Sequence, residues 1–122
     1  DPTTLKDNIK KLFDDKVDFD VVQISGNHVD IKECNYSYLK TVKDSQTTSG
    51  YIVNRRFANT LLENFKECYT LMSKLGKCEQ SCLDIHWKIL QPISKWYCFS
   101  PPLGYQMDGY SDVEKFNTSY KC

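Results

Sequence analysis

The sequence predicts a mainly α-helical fold, a small disulfide-stapled helical bundle that contains an antiparallel helix hairpin and allows a short β-hairpin. Apolar residues repeat at spacings of three and four over residues 53–75 and again over 78–96, which is the period of amphipathic helices. The link around Gly76 is short, so we expect these two helices to pack antiparallel. Six cysteines in 122 residues are typical of a disulfide framework in a core of modest size.

The first predicted helix occupies the amino end. Thr4 and Asp7 have the spacing of a capping box, in which both side chains accept hydrogen bonds from free amides of the first turn. The helical pattern stops near Asp15. Its apolar face consists of Leu5, Ile9, Leu12 and Phe13.

The next segment favours extended structure. Residues 17–24 look extended, because apolar and acidic residues alternate over residues 17–21, the period of a half-buried strand; the pair Val21-Val22 breaks the alternation and allows a bulge there. A turn signal at Gly26 precedes a second alternation at residues 29–31, so we expect a short β-hairpin across Gly26. Residues 34–42 fit either a strand or a short helix, and the Ser-, Thr- and Gly-rich residues 44–50 read as a loop.

Both long helices have predicted ends. Gly76 is placed to cap the first, because glycine adopts the left-handed conformation without a Cβ penalty. Pro92 cannot donate a backbone hydrogen bond, so the second helix kinks there or ends near Leu90. The first stripe is Val53, Phe57, Leu61, Phe65, Cys68, Met72 and Leu75, and the second is Cys78, Cys82, Ile85, Ile89, Ile93 and Trp96.

The whole chain, residues 1–122, reads as a single secreted domain. Residues 98–122 form a carboxy-terminal tail that we expect to pack on the helices. Ser111 and Glu114 have capping-box spacing, so residues 111–117 are predicted to form one or two helical turns.

Charge and hydropathy narrow the classes of partner. The 16 basic and 16 acidic side chains cancel, whereas a nucleic-acid-binding domain is normally strongly basic, so no nucleic-acid partner is expected. The longest uncharged stretch, residues 98–107, is too short and too rich in Pro and Gly to span a bilayer. We therefore expect no membrane insertion.

The cysteines are interpreted as disulfide partners in an oxidising, extracellular compartment. In an antiparallel hairpin that turns near Gly76, Cys68 and Cys82 would lie at the same level, so a bridge between them is the one pairing that geometry favours. Two glycosylation sequons, at Asn35 and Asn117, agree with secretion. The six residues assigned to disulfides are Cys34, Cys68, Cys78, Cys82, Cys98 and Cys122.

Neither catalysis nor a cofactor is expected. Cys78, Cys82 and His86 lie at successive helical turns and could converge on zinc, but an oxidising compartment favours disulfides over thiolate ligands. Asp84 and His86 are two residues apart on a helix and diverge, so they cannot act as a dyad. No nucleophile or general base has a positioned partner in the sequence, which predicts a non-enzymatic protein.

Aromatic residues suggest a binding surface. They concentrate in the last third of the chain, and Tyr and Trp combine apolar area with a polar group, as protein interfaces require. Trp96 lies on the core stripe and is predicted to be structural, whereas Trp87 lies off it and either packs under the tail or anchors a partner. The candidate binding surface is Phe19, Val22, Trp87, Tyr105 and Tyr110.

The first third of the chain resembles the short-chain helical cytokines, in particular the stem-cell-factor and colony-stimulating-factor group. The resemblance covers about 35 residues and consists of an amphipathic first helix, a strand over residues 18–24 and Cys34 at the end of the crossover. It implies a bundle that binds a cell-surface receptor through helix faces and the crossover strand.

The main functional hypothesis is therefore a secreted protein that binds another protein, either as a cytokine-like receptor ligand or as a host-interacting effector. The partner would be a cell-surface receptor or another secreted protein, and the oligomeric state is left open. One alternative is an extracellular carrier of a small hydrophobic ligand, which requires a cavity of about 300 Å³ or more between the helices. Another is a toxin or inhibitor domain. The carrier cavity would be lined by Phe57, Leu61, Phe65, Ile85 and Ile89.

Overall fold

The computed structural model describes residues 2–75, 83–104, 109–111 and 116–118. Three helices, two 3-10 turns and five strands occupy these ranges. The elements are α1 (Pro2–Asp14), β1 (Val21–Glu33), β2 (Leu39–Val53), a 3-10 turn (Arg55–Phe57), α2 (Ala58–Leu75), α3 (Leu83–His86), a second 3-10 turn (Trp87–Leu90), β3 (Trp96–Phe99), β4 (Gly109–Ser111) and β5 (Phe116–Thr118).

The fold is mixed α/β, so the predicted mainly α-helical bundle is wrong. Strands β1 and β2 form one long antiparallel hairpin, whose register runs from Val21 opposite Val53 to Glu33 opposite Lys40. The short strand β3 pairs in parallel with the start of β1 and antiparallel with the start of β2. Because the two strand starts lie at opposite ends of the hairpin, β3 closes it into a small barrel.

Irregular pairing accompanies this closure, because bulges bend a strand and increase its twist. The register of β1 and β2 shifts at several points between Gln23 and Ile31. Thr47 on β2 has a positive φ of 71°. At Gly26 a Cβ atom would lie only 2.7 Å from Gln23 Nε2, so this position requires glycine for close packing. It lies within β1 and not in the turn that the sequence predicted; the hairpin turns at residues 34–38 instead.

Successive strand residues face opposite ways, and this divides the core in two. Val21 and Cys98 face the first cluster, whereas their neighbours Val22 and Phe99 face the second. The first cluster is Val21, Val42, Phe57, Leu61, Trp87, Leu90, Trp96 and Cys98. The second cluster is Leu12, Val17, Phe19, Val22, Leu39 and Phe99.

Helix α2 and the second 3-10 turn supply the first cluster. Leu61 comes from α2, and Trp87 and Leu90 come from the 3-10 turn. The indole of Trp87 makes edge-to-face contacts with Tyr51 and Trp96, with ring centroids 5.2 and 5.0 Å apart. Such pairs add to the gain from burying their apolar area, so this aromatic group is the centre of the first cluster.

Helix α1 covers the second cluster on the other side of the strands. Leu12 is its buried anchor, with Leu5 and Ile9 packed beside it. Three of the four residues predicted for the apolar face of α1 therefore pack inward, while Phe13 remains 64% exposed. The strands are thus sandwiched between α1 on one face and α2 with the 3-10 turn on the other.

The corner where β1, β3 and the first 3-10 turn meet is held by ionic contacts. Asp20 accepts hydrogen bonds from the Lys95 amide at 2.8 Å and from Arg56 Nε at 3.1 Å. Asp18 pairs with the Lys95 ammonium and, at 2.5 Å, with the Arg56 guanidinium. The Lys95 and Arg56 hydrogen bonds lower the pKa of Asp18. The acidic residues that alternate along residues 17–24 therefore fix a corner of the fold.

The predicted second long helix is largely replaced by other structure. Helix α3 is four residues long and continues as a 3-10 turn that ends at Leu90, as Pro92 predicts. The expected stripe then fails, since Ile89 and Ile93 are 59% and 76% exposed, and Trp96 begins a strand. At the carboxyl end Gly109–Ser111 and Phe116–Thr118 pair as antiparallel strands, so the helix expected over residues 111–117 is wrong at both described ends.

The predicted disulfide staples are also wrong for the described chain, in which no disulfide is found. Cys34 keeps its thiol and donates to the Leu39 carbonyl at 3.3 Å, and Cys98 is a thiol buried in the first cluster. Cys68 is buried on α2, but its expected partner Cys82 lies outside the described residues, as do Cys78 and Cys122. Strand pairing and two apolar clusters hold these elements together.

Among the described helices, none combines the length and the apolar character needed to cross a membrane.

Candidate protein-binding surface

Three residues of the candidate binding surface are core residues. Phe19 and Val22 are buried in the second cluster, and Trp87 is fully buried in the first. Their side chains therefore offer no area to a partner. Tyr105 lies outside the described residues, and for Tyr110 only the backbone, in β4, is described.

A different set of apolar side chains is exposed along α2. Leu62, Tyr69 and Met72 are 49%, 73% and 38% exposed, and Phe65 lies partly buried between them. These four residues follow one another at spacings of three, four and three, so they form a continuous line along one flank of the helix. We call this line the α2 stripe.

The burial pattern explains why the α2 stripe is free of the core. The side chains of Phe57, Leu61, Asn64 and Cys68 face the core, and α2 needs only this face to cover the first cluster. Leu62 and Tyr69 are each one residue after a core position, about 100° around the helix. The stripe is therefore a second apolar face at the side of the first.

Polar residues border the α2 stripe. Lys66 lies beside it and forms an ion pair with Glu63 at 3.4 Å on the outer surface of the helix. A shallow groove is lined there by Glu63, Lys66, Glu67, Thr70 and Leu71. An apolar centre with a polar, charged rim is the usual composition of a protein-binding patch.

The sequence contained a signal for this surface. The spacing of Leu62, Phe65, Tyr69 and Met72 repeats as regularly as that of the core stripe, but only one apolar face was assigned to the helix. Met72 was placed on the core stripe and is partly exposed. A helix with two adjacent apolar lines has a wider apolar side than one packing contact needs.

A buried polar group between β1 and β2 resembles a nucleophile and its base. His28 Nδ1 lies 2.8 Å from Ser45 Oγ, and burial lowers the pKa of His28, which favours the neutral imidazole. Ser45, however, is fully buried, and His28 Nε2 is buried with no hydrogen-bond partner among the described residues. A substrate could not reach this hydroxyl, so the pair acts as a structural link between the strands.

Gln91 ties the same point to the second 3-10 turn. Its side-chain oxygen accepts from the Ser45 amide at 2.8 Å, and its side-chain nitrogen donates to the Ser45 carbonyl, also at 2.8 Å. The side-chain amide of Gln91 thus satisfies the two Ser45 backbone groups that a neighbouring strand would otherwise pair with at this edge of β2. Thr47 is held in a similar way, because its backbone amide donates to Asp84 at 3.1 Å.

The residues proposed to line a carrier cavity are divided between the core and the surface. Phe57 and Leu61 pack within the first cluster, Phe65 lies at its margin, and Ile89 is 59% exposed. Three of the five therefore contribute to one packed cluster, and Ile89 lies on the surface. The volume that a ligand would need between α2 and the strands is filled by Trp87 and Trp96.

No group of three or more His, Cys, Asp or Glu side chains within the described ranges is arranged to hold a metal ion. Among the cysteines that the sequence assigned to disulfides, Cys98 is a buried thiol. Burial raises the pKa of Cys98 to about 11, which keeps this sulfur protonated and unreactive near neutral pH.

Comparison of the chain with protein-family models, with curated proteins and with solved structures gives no match. The resemblance to the helical cytokines accordingly stays an untested prediction, and the bundle fold that it implies is not the fold observed.

Proposed function

We propose that this chain is a non-enzymatic binding domain whose α2 stripe docks on an apolar surface of another protein. The observation that carries the proposal is the exposure of Leu62, Tyr69 and Met72 on one flank of α2. The adjacent face of the same helix already packs on the first cluster, so core packing does not require this flank. The class of partner is a cell-surface receptor or another secreted protein.

Exposed apolar residues follow one another over more positions on α2 than elsewhere on the described surface, where Ile89 and Ile93 form a shorter pair. Phe13 and Val29 are both 64% exposed, but each is an isolated side chain on its own element, and scattered apolar residues need no partner. The α2 stripe instead extends over eleven residue positions, about 15 Å of helix. That length suits a contact with a helix or a groove of similar size.

Side-chain type also favours recognition by a protein. Tyr69 is the most exposed member of the stripe, and tyrosine is enriched among residues that dominate interface energies. Methionine at position 72 adapts its shape to irregular surfaces. Burying such side chains contributes roughly 1.5–3 kcal/mol each, so the stripe could supply a large part of a specific contact.

The extracellular setting is part of the same proposal. The described cysteines no longer support it, since Cys34 and Cys98 are not bridged. The sequon at Asn35 does support it, because Asn35 is exposed on the surface. Neither the carrier nor the toxin alternative gains a specific observation of this kind.

The decisive experiment compares two variants that place acid on exposed aromatic or aliphatic positions. The test variant combines Leu62→Glu and Tyr69→Glu, and the matched control is Phe13→Glu on α1, where the replaced ring is 64% exposed, between the 49% of Leu62 and the 73% of Tyr69. Each purified chain is immobilised and probed with an array of extracellular domains of receptors and secreted proteins. Circular dichroism and thermal melting establish that both variants fold like the wild type.

We expect at least one domain to bind the wild type and Phe13→Glu with equal affinity and to bind the double variant at least about tenfold more weakly, the loss of roughly 1.4 kcal/mol or more. A partner that binds the double variant as tightly as the wild type would refute the α2 stripe as the binding surface. Sedimentation of the free proteins addresses self-association: a wild-type dimer that the double variant abolishes would also refute the proposal, because the stripe would then bind a second copy.

A further inference from the structure

The turn between β1 and β2 presents a glycosylation sequon in an accessible form. Residues 34–38 form this turn, and the sequon Asn35-Tyr36-Ser37 lies at its centre. Asn35 and Ser37 are both exposed, whereas Tyr36 between them is partly buried. The acceptor amide and the hydroxyl that the sequon requires therefore both face solvent.

Tyrosine packing fixes the outward direction of Asn35. Tyr36 and Tyr38 pack against the second cluster, with ring centroids 6.1 Å apart. The Tyr38 hydroxyl donates to Asp15 at 2.7 Å, and the Lys11 ammonium lies 5.6 Å from the centre of the Tyr38 ring. Burial and the Asp15 hydrogen bond raise the pKa of Tyr38, which keeps the donating hydroxyl protonated. The turn is thus attached to the carboxyl end of α1.

The same contacts determine on which face of the molecule the sequon lies. The turn and α1 both pack on the second cluster, and α2 packs on the first. Because alternate strand residues separate the two clusters, the turn and α2 belong to opposite faces of the strand layer. A bulky group on Asn35 would therefore extend from the side of the molecule that α2 does not occupy.

We propose that Asn35 carries an N-linked glycan that covers the α1 face and leaves the α2 stripe bare. The inference rests on the extracellular part of the proposed function. The donor is a lipid-linked oligosaccharide diphosphate: the bond between the sugar C1 and the diphosphate oxygen breaks, a bond from C1 to Asn35 Nδ2 forms, and the amide loses one proton as the lipid diphosphate leaves. The glycan makes the α1 face hydrophilic, so protein contacts are directed to α2.

The site is tested by secreting the full chain from eukaryotic cells and weighing it before and after enzymatic removal of N-glycans. The background variant is Asn117→Gln, so that only the first sequon can be modified. We expect an oligosaccharide mass that the enzyme removes while converting Asn35 to Asp. The mass is expected to vanish with Asn35→Gln and with Ser37→Ala, and to persist with Ser37→Thr, which keeps the required hydroxyl.

A secreted chain without sugar at Asn35 would overturn the inference, yet it would leave binding through α2 intact. The direction of the glycan is tested with the partner domain identified by the array, using glycosylated and enzymatically deglycosylated protein. We expect dissociation constants that agree within about threefold. A glycan that weakens binding by tenfold or more would overturn the opposite-face placement. If Asn35 carries sugar and the partner binds the Leu62→Glu, Tyr69→Glu variant as tightly as the wild type, the proposed function is refuted instead.

Discussion

Gln91 offers the sharpest test of how this fold is held together. Its side chain is fully buried, and its two hydrogen bonds of 2.8 Å satisfy both backbone groups of the equally buried Ser45. Gln91→Met keeps nearly the same volume and removes both bonds. The Ser45 amide and carbonyl then remain buried without partners, which costs about 1–3 kcal/mol for each group.

We expect Gln91→Met to lower the free energy of unfolding by about 2–6 kcal/mol in total, and Tm by roughly 4 °C for each kcal/mol. Urea unfolding followed by the fluorescence of the buried Trp87 and Trp96 measures the change. The matched control is Gln46→Met, because Gln46 follows Ser45 on β2 but is only half-buried; its effect should stay within about 0.5 kcal/mol.

Gln91→Glu makes the test more specific. A carboxylate can still accept from the Ser45 amide, but it cannot donate to the Ser45 carbonyl and it buries a charge. This variant should therefore be less stable than Gln91→Met at neutral pH. Because burial raises the pKa of a carboxyl above the usual value of about 4.3 for Glu, its stability should recover as the pH falls through that raised pKa. If the free energy of unfolding of Gln91→Met lies within about 0.5 kcal/mol of the wild-type value, the two hydrogen bonds do not hold the 3-10 turn on β2 and the reasoning fails.

Three further predictions concern groups in or near the core. Burial lowers the pKa of His28 below its usual 6.5, so the folded state favours the neutral ring. The contribution of His28 to stability is complete above pH 6.5, the value of the unfolded chain, and declines as the pH falls from 6.5 toward the lowered pKa. The wild type should therefore lose more stability between about pH 7.5 and about pH 5 than His28→Gln does. Equal losses in the two proteins would contradict this assignment. Trp96 Nε1 donates to the buried Gln23 Oε1 at 3.0 Å, so Trp96→Phe should lower the free energy of unfolding in urea by about 1–3 kcal/mol more than Trp87→Phe does. Equal losses in the two variants would show that this hydrogen bond does not contribute to stability. Cys98, with its pKa raised to about 11 by burial, should be alkylated at about pH 8 only as fast as the protein unfolds, whereas the half-buried Cys34 should react sooner; rapid labelling of Cys98 in the native protein would show that the first cluster is open there.

Helical periodicity was the most reliable guide to structure. The apolar face that follows Thr4 predicted α1, although the helix begins at Pro2 and Thr4 lies inside it, and the stripe from Phe57 to Cys68 predicted the buried face of α2. Pro92 correctly ended the helical segment near Leu90. Each of these signals depends on residues within a few positions of one another, which is why a single sequence was enough to read them.

Strand β2 shows where such reading failed. Residues 44–50 contain Ser, Thr and Gly and resemble a loop, yet they extend a strand of fifteen residues. Their pairing partners on β1 lie 14 to 25 residues away, and the Ser45 edge is completed by Gln91, 46 residues away. Distant partners of this kind leave no periodic signal in the local sequence.

The proposed binding surface was missed for a related reason. The sequence predicted that aromatic residues form the binding surface, but Trp87 and Phe19 fill the two clusters of the core. Which of several apolar residues remains exposed depends on how much of each helix face the strands can cover. The α2 stripe was therefore visible as a pattern, but only the packing of α2 showed that it is left uncovered.

By itself, the sequence determined the positions of α1 and α2, the stop at Pro92 and the burial of Trp96. The tertiary structure decided that the chain builds a barrel and not a bundle, that Gln91 completes the edge of β2, and that one flank of α2 stays exposed. The division has a physical cause. A helix satisfies its backbone hydrogen bonds within itself, whereas a strand satisfies them only with partners that the folded chain brings from elsewhere.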